Sequence, residues 1–291
     1  MLDFLEVKQV AMVIGGSMGG MQSLEWAYLG KDYVRCVAAI ACSAQHSAWS
    51  ISWNEMQRSA IRADAKFSQG HYDLANPPTD GLAVARMAAM LTYRARGSLQ
   101  RRFGRHMQYR VRRRQAVDGQ PSTREDALTV PPNVSAAVDL DRGCFRPDPN
   151  TLFAVESYFE HQGNKFNRRF DANCYISITE KLDTHDVTRG RSDPASSHRV
   201  TDALRQVTQP VLVIGIEGDV LYPLEEQEQL ADGLPNSQFE VLVSDEGHDA
   251  FLLESERINC LVARFMHQWL PELMASASAR TSSHDSAIGD I

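Results

Sequence analysis

The sequence predicts an α/β fold, a mostly parallel sheet covered by helices and interrupted by a long helical insertion. Short apolar, β-prone runs sit at the two ends of the chain, at 9–14 (QVAMVI), 35–41 (RCVAAIA), 210–216 (PVLVIGI) and 239–243 (FEVLV). Fully apolar runs of this length suit strands buried on both faces. Between the strands of each pair the period becomes helical: Met21, Leu24 and Tyr28 in the first, and LEEQEQLADGL in the second. Strand, helix, strand repeated in this way is the βαβ unit of a parallel sheet.

The elements follow in order. The run 9–14 closes on Gly15-Gly16, so a strand enters a sharp turn at Ser17 and a helix leaves it. After the second strand, residues 45–200 are rich in helix formers (ISWNEMQRSAIRAD, DGLAVARMAAMLTYRAR, AVESYFEHQGNKFNRRF) and hold no convincing strand. Within them, 108–150 is a polar stretch with five prolines and reads as a long loop. A last helix is expected at about 253–273, followed by a Ser/Ala/Asp tail at 274–291 expected to be disordered. The expected organisation is a core of 1–44 and 201–273, with 45–200 as a cap over the site.

Composition narrows the function. At 291 residues, 43% hydrophobic and 23% charged, the chain is ordinary globular material. A domain of this size buries about 75% of its unfolded surface. A net charge of −7 argues against nucleic acid as the main partner. The cluster Arg110, Arg112, Arg113 and Arg114 lies in the polar stretch and reads as a solvated charge run. Five scattered cysteines give neither a disulfide framework nor zinc-ligand spacing, so no metal is expected. The first residues do not read as a secretory signal, and no apolar run reaches the ~20 residues a membrane helix needs. A cytoplasmic setting is the expectation.

Gly15-Gly16-Ser17-Met18-Gly19 is a G-x-S-x-G elbow. Such an elbow lifts a serine Oγ clear of the sheet, with glycines expected on both sides because a Cβ there would collide with neighbouring backbone. The N–H of Met18, the residue after the serine, is the expected oxyanion donor at a helix N-terminus. Alone, the pattern is weak: a glycine-rich turn with an incidental serine would also produce it. The triad order of this fold then asks for an acid and a histidine after later strands. Asp219 follows the strand at 210–216, with Glu217 as a rival, and His248 follows the strand at 239–243. His46 and His185 follow no strand. The imidazole would take the serine proton while the carboxylate fixes its tautomer.

GGSMGGMQSLEWA, LTYRARGSLQRRFGR, QGNKFNRRFDANCYISITEKLDTHDVTRGR and EGHDAFLLE together resemble the homoserine O-acetyltransferase family, especially its fungal branch with the deacetylcephalosporin C acetyltransferases. The resemblance runs from about residue 1 to 270, outside 108–150. It implies an α/β-hydrolase fold and ping-pong transfer of acetyl from acetyl-CoA, a co-substrate rather than a bound cofactor, through an acyl-serine to a small hydroxyl. It makes Ser17, Asp219 and His248 nucleophile, acid and base. Arg94 and Asp249 would grip the carboxylate and ammonium of an amino acid, chemistry that suits an arginine fork and an aspartate. In the family, further strands and a loop with a second oxyanion N–H come earlier, so the sheet is expected to lack its N-terminal strands. A serine esterase, a secondary-metabolite acetyltransferase and an inactive paralogue are the alternatives. A homodimer is compatible with the sequence, which does not specify an oligomeric state.

Overall fold

The computed structural model describes residues 2, 4–109 and 151–275. The arginine cluster at 110–114, the rest of the polar stretch and the tail from 276 lie outside the described residues.

Four strands form one parallel sheet in the order β1-β2-β5-β6. β1 is Val10–Gly16, β2 Val34–Ile40, β5 Val211–Glu217 and β6 Ser237–Val243. Helix α1 (Met18–Ala27) connects β1 to β2, and α8 (Leu224–Gly233) connects β5 to β6. Side chains alternate between the two faces, as the pleat requires. Val37, Ala39, Val211 and Val213 face Leu24 of α1 and Leu230 of α8. Cys36, Ala38, Leu212, Ile214 and Ile216 face Ile258 and Phe265 of α10 (Ser255–Trp269). The sheet is thus covered on both faces, which is why its central strands read as unbroken apolar runs.

The insertion between β2 and β5 carries its own small core, in which Ile61, Leu82, Ala85, Phe166 and Tyr175 pack together. It is built from α2 (Ala48–Arg62), α3 (Thr79–Tyr93), α4 (Arg96–Phe103), α5 (Ala154–Asn167) and α6 (Ala172–Asp183). Ser47 caps α2 by accepting from Ser50 N–H, and Asp171 caps α6 by accepting from Cys174 N–H. Its two ends meet: Gln45 bridges Asp186 in the backbone and donates to its carboxylate at 2.6 Å. Beyond Leu182 the chain packs with the sheet, since Val187 joins the α1–α8 face and Leu182 and Val200 lie against it. By packing, then, the insertion ends about fifteen residues short of the expected boundary at 200.

Three expectations need correction. The middle does contain strand: β3 (Met107–Tyr109) pairs antiparallel with β4 (Thr151–Phe153). Three-residue strands are too short to show a period in sequence. The helix-forming run through LTYRAR breaks at Arg94, whose φ of −112° and ψ of 134° are extended. The expected helix at about 253–273 is α10, which stops sooner, at Leu270 with φ −134°; a separate turn, α9 (Ala250–Leu253), precedes it across Glu254, whose carboxylate accepts from Ser244 Oγ at 2.9 Å.

Candidate active site

The elbow is strained, as a nucleophile turn must be. Ser17 sits at φ 56°, ψ −125°, a region that non-glycine residues rarely occupy. Its own N–H donates to Ile40 C=O at 2.8 Å, which ties the turn to the end of β2. The expectation about glycines holds on one side only. A Cβ on Gly15 would run into the Gly19 carbonyl, whereas one on Gly19 would meet open space. The tight positions beyond Gly15 are Gly16, against the Phe251 ring at 2.5 Å, and Gly20, against Cys42 Sγ at 2.7 Å. The second flank is therefore constrained one residue later than the motif suggests.

Ser17, His248 and Asp219 are brought together although 231 residues separate the first two. Ser17 Oγ lies 2.9 Å from His248 Nε2, and His248 Nδ1 lies 2.7 Å from Asp219 Oδ2. The other oxygen, Oδ1, accepts from the N–H groups of Leu221 and Tyr222 at 2.8 and 2.9 Å. A carboxylate held at both ends has one orientation, and that orientation sets the imidazole tautomer. The acid loop is itself clamped. Buried Gln227 donates to Tyr222 C=O, while Trp49 and Ser50 of α2 donate to the carbonyls of Val220 and Leu221. Glu217, the rival acid, is exposed. His185 bonds Ser43 C=O and His46 bonds Asn54, so neither competes for Ser17.

Met18 opens α1, and the first N–H groups of a helix have no intrahelical partner. Its N–H is free to meet an oxyanion. The thiol of Cys42, which packs against Gly20 of the elbow, is pushed up to about 12 by burial and stays protonated. The imidazole is walled by Tyr222, Phe251 and Tyr93, with ring centroids at 5.4, 5.5 and 6.4 Å.

Arg94 and Asp249 also meet, but they meet each other. Arg94 Nε is 3.2 Å from Asp249 Oδ2, and its Nη1 donates to Glu246 Oε2 at 2.6 Å. Ser98 Oγ donates to that same Glu246 oxygen at 2.7 Å. The Ser98 hydroxyl and the Arg94 charge hold the Glu246 carboxyl below its usual range against partial burial. Burial pushes the Asp249 carboxyl up, while Arg94 and His248 pull it back. Glu246, Ser98 and the aromatic wall were not anticipated. Glu246 and Phe251 lie inside EGHDAFLLE and Tyr93 inside LTYRARG, so position gave a hint that residue type did not.

A serine–histidine–aspartate chain raised on the strand ends of a parallel sheet defines an α/β-hydrolase-fold protein. The family model for the alpha/beta hydrolase fold matches residues 1–255. A homoserine O-acetyltransferase of Fusarium oxysporum f. sp. lycopersici is 47% identical over 283 residues, covering 95% of this chain and 74% of that one. One of Emericella nidulans is 43% identical over 312 residues, covering 94% and 64%. The chain belongs to the homoserine O-acetyltransferase family. Among solved structures, the Staphylococcus aureus homoserine O-acetyltransferase superposes with a TM-score of 0.57 at 28% identity, covering 87% of this chain and 57% of that one. The Bacillus anthracis one reaches 0.68 at 18% identity, covering 92% and 62%, a likeness of fold alone. Across the fungal relatives from Emericella, Fusarium and Gibberella, the chain spans between 58% and 74% of their length.

Proposed function

We propose that the chain acts as an O-acetyltransferase, moving acetyl from acetyl-CoA to the hydroxyl of homoserine or a related small alcohol. Ser17 Oγ attacks the thioester carbonyl while His248 Nε2 takes its proton. The C–S bond breaks, and the departing thiolate leaves with that proton. The acceptor hydroxyl then attacks acetyl-Ser17, gives its proton to His248, and Ser17 Oγ leaves and recovers it. Met18 N–H receives the charge that develops on the carbonyl oxygen.

The observation that carries this reading is the pair of hydrogen bonds at 2.9 and 2.7 Å joining Ser17, His248 and Asp219. The Arg94–Asp249 pair beside it supplies one positive and one negative end for an amino-acid acceptor. No helix among the described residues is long and apolar enough to cross a membrane. The four described cysteines are free, which supports a reducing, cytoplasmic setting. A homodimer is part of the proposal only as a state compatible with it.

The test incubates the 291-residue chain with acetyl-CoA, with and without homoserine, and follows intact mass and products. An acetyl adduct on Ser17 that homoserine discharges as O-acetylhomoserine is the expected outcome. An adduct surviving Ser17→Ala refutes the nucleophile. Acetate formed at one rate regardless of homoserine makes the protein an esterase.

A further inference from the structure

A second feature lies on the insertion side of the triad, and the mechanism leaves it unused. Residues 94–106 contain Arg94, Arg96, Arg101, Arg102 and Arg105 and no acidic residue, in a chain whose net charge is −7. Part of this segment lines a groove of about 620 Å³ between α4, α5 and the loop after β6. That volume falls in the range of about 300–1,000 Å³ typical of small-molecule sites. Arg101, Arg102, Phe103, Tyr158 and Phe159 form its walls, and Arg94 with Glu246 lies at one end.

The groove's charges are unequally occupied. Its acids are satisfied: Glu246 by Arg94 and Ser98, and Glu254 by Ser244 and Arg257. Arg101 pairs with Asp245 and reaches Glu246 at 3.7 Å, but the side chains of Arg101 and Asp245 are more than half exposed, and such pairs are readily exchanged. Arg102 has no carboxylate within 4 Å among the described residues. Its guanidinium lies 4.6 Å from the Tyr158 ring centroid and 5.2 Å from that of Phe103, and the two rings are 4.9 Å apart. A guanidinium resting on aromatic faces, next to a second arginine with an exchangeable partner, combines two kinds of recognition. The planar fork takes phosphate oxygens, and the ring faces stack a heterocyclic base.

We propose that this groove binds the nucleotide end of a coenzyme A thioester, with Arg101 and Arg102 on its phosphates and Phe103 and Tyr158 beside its adenine. The inference rests on the acetyl-CoA reading above and adds where the donor is held. The geometry suits a long donor: Arg94 and Glu246 belong both to the groove and to the network that reaches Asp249, next to His248. The groove's inner end thus abuts the triad loop, with Gly247 packed so tightly on Ala95 that a Cβ would come within 2.5 Å of its nitrogen. The pantetheine arm covers the remaining path to Ser17.

The test measures CoA binding by titration calorimetry on the full chain, with Arg101→Ala, Arg102→Ala, Arg102→Glu and, as a remote control, Arg62→Ala. CoA affinity should fall about tenfold in each alanine variant of the groove and further in Arg102→Glu, as expected for loss of a charged phosphate contact. The Arg62→Ala variant, whose side chain pairs with Glu55 and Glu180, should bind like the parent. Acetyl-pantetheine, which lacks the nucleotide, should acetylate every variant with one KM. Parental affinity for CoA in the groove variants, or no CoA binding by the parent, overturns the proposal. Arg102-dependent CoA binding without acetylation of Ser17 would instead sink the donor reading and leave the groove standing.

Discussion

The triad and the Arg94 network lie side by side and are built on opposite principles. Ser17, Asp219 and His248 stand at the ends of strands of one sheet, and buried Asp219 and His248 have a single partner arrangement. Arg94, Ser98, Glu246 and Asp249 come from the insertion and from the loop after β6, and each ion pair in the network is partly open to solvent. The triad is fixed before any ligand arrives. The network is satisfied internally, so the amino-acid acceptor proposed above would replace one set of charge contacts with another. Preorganisation speeds a chemical step, whereas exchangeable ion pairs favour selection among ligands.

Removing the carboxylate's charge tests the fixed half most severely. Asp219→Asn should lower kcat about 10⁴-fold by favouring the wrong imidazole tautomer. Glu217→Gln, two residues away and exposed, should leave kcat unchanged; pre-steady-state acetylation distinguishes them. Equal losses in both would mean that the acid loop matters as a whole and that the 2.7 Å bond does not.

The exchangeable half should respond in affinity. Arg94→Ala strands the Asp249 carboxylate, which costs on the order of 2–5 kcal/mol, whereas Asp249→Ala leaves Arg94 paired with Glu246 and should cost less. Their effect should fall on acceptor use, while acetyl-Ser17 still hydrolyses at close to its parental rate. Because the two side chains touch, the double variant should lose clearly less than the sum of the singles. Strict additivity in a double-mutant cycle would show that the pair acts as two independent groups.

A third prediction compares the stability of the two regions as acid is added. His46, in the insertion, is pulled down to about 4 by burial, with Asp183 opposing, and burial lowers His185 as well. The unfolded chain takes up these protons near pH 6.5, the folded one only at lower pH. Stability is therefore full above about 6.5 and declines toward pH 4, by on the order of 2–3 kcal/mol for His46. Depressed carboxylates such as Asp64 and Asp186 act below that window. Urea unfolding at pH 7 and pH 4.5 should show the loss, and His46→Asn should shrink it. A pH-independent midpoint would count against a neutral buried imidazole.

Smallest is the effect expected at the elbow's open flank. Gly19→Ala should cost little, because nothing lies within 4 Å of the added carbon, whereas Gly20→Ala must displace Cys42. Thermal unfolding should rank Gly20→Ala well below Gly19→Ala, and the reverse order would contradict the packing described for the elbow.

What was legible in the sequence follows from the range of each signal. The sheet was legible because a strand buried on both faces must be apolar throughout, and the chain order Ser17, Asp219, His248 is fixed by topology. The break at Arg94 was not legible, because TYRAR has helical propensity and tertiary contacts with the 246–249 loop outweigh it. The mutual pairing of Arg94 with Asp249 was likewise hidden. Sequence supplies opposite charges, but their separation depends on how two distant segments dock.

The bridge between Gln45 and Asp186 has an evolutionary corollary. Because the insertion leaves the sheet and rejoins it at one place, its ends are already closed on each other. Lengthening or exchanging what lies between adds only a slowly growing entropic term, about 0.6 kcal/mol per doubling of a flexible loop. Strand order and triad stay put during such an exchange. The insertion that carries Arg94 and Ser98 can therefore be remodelled as one module while the sheet keeps Ser17, Asp219 and His248 in register.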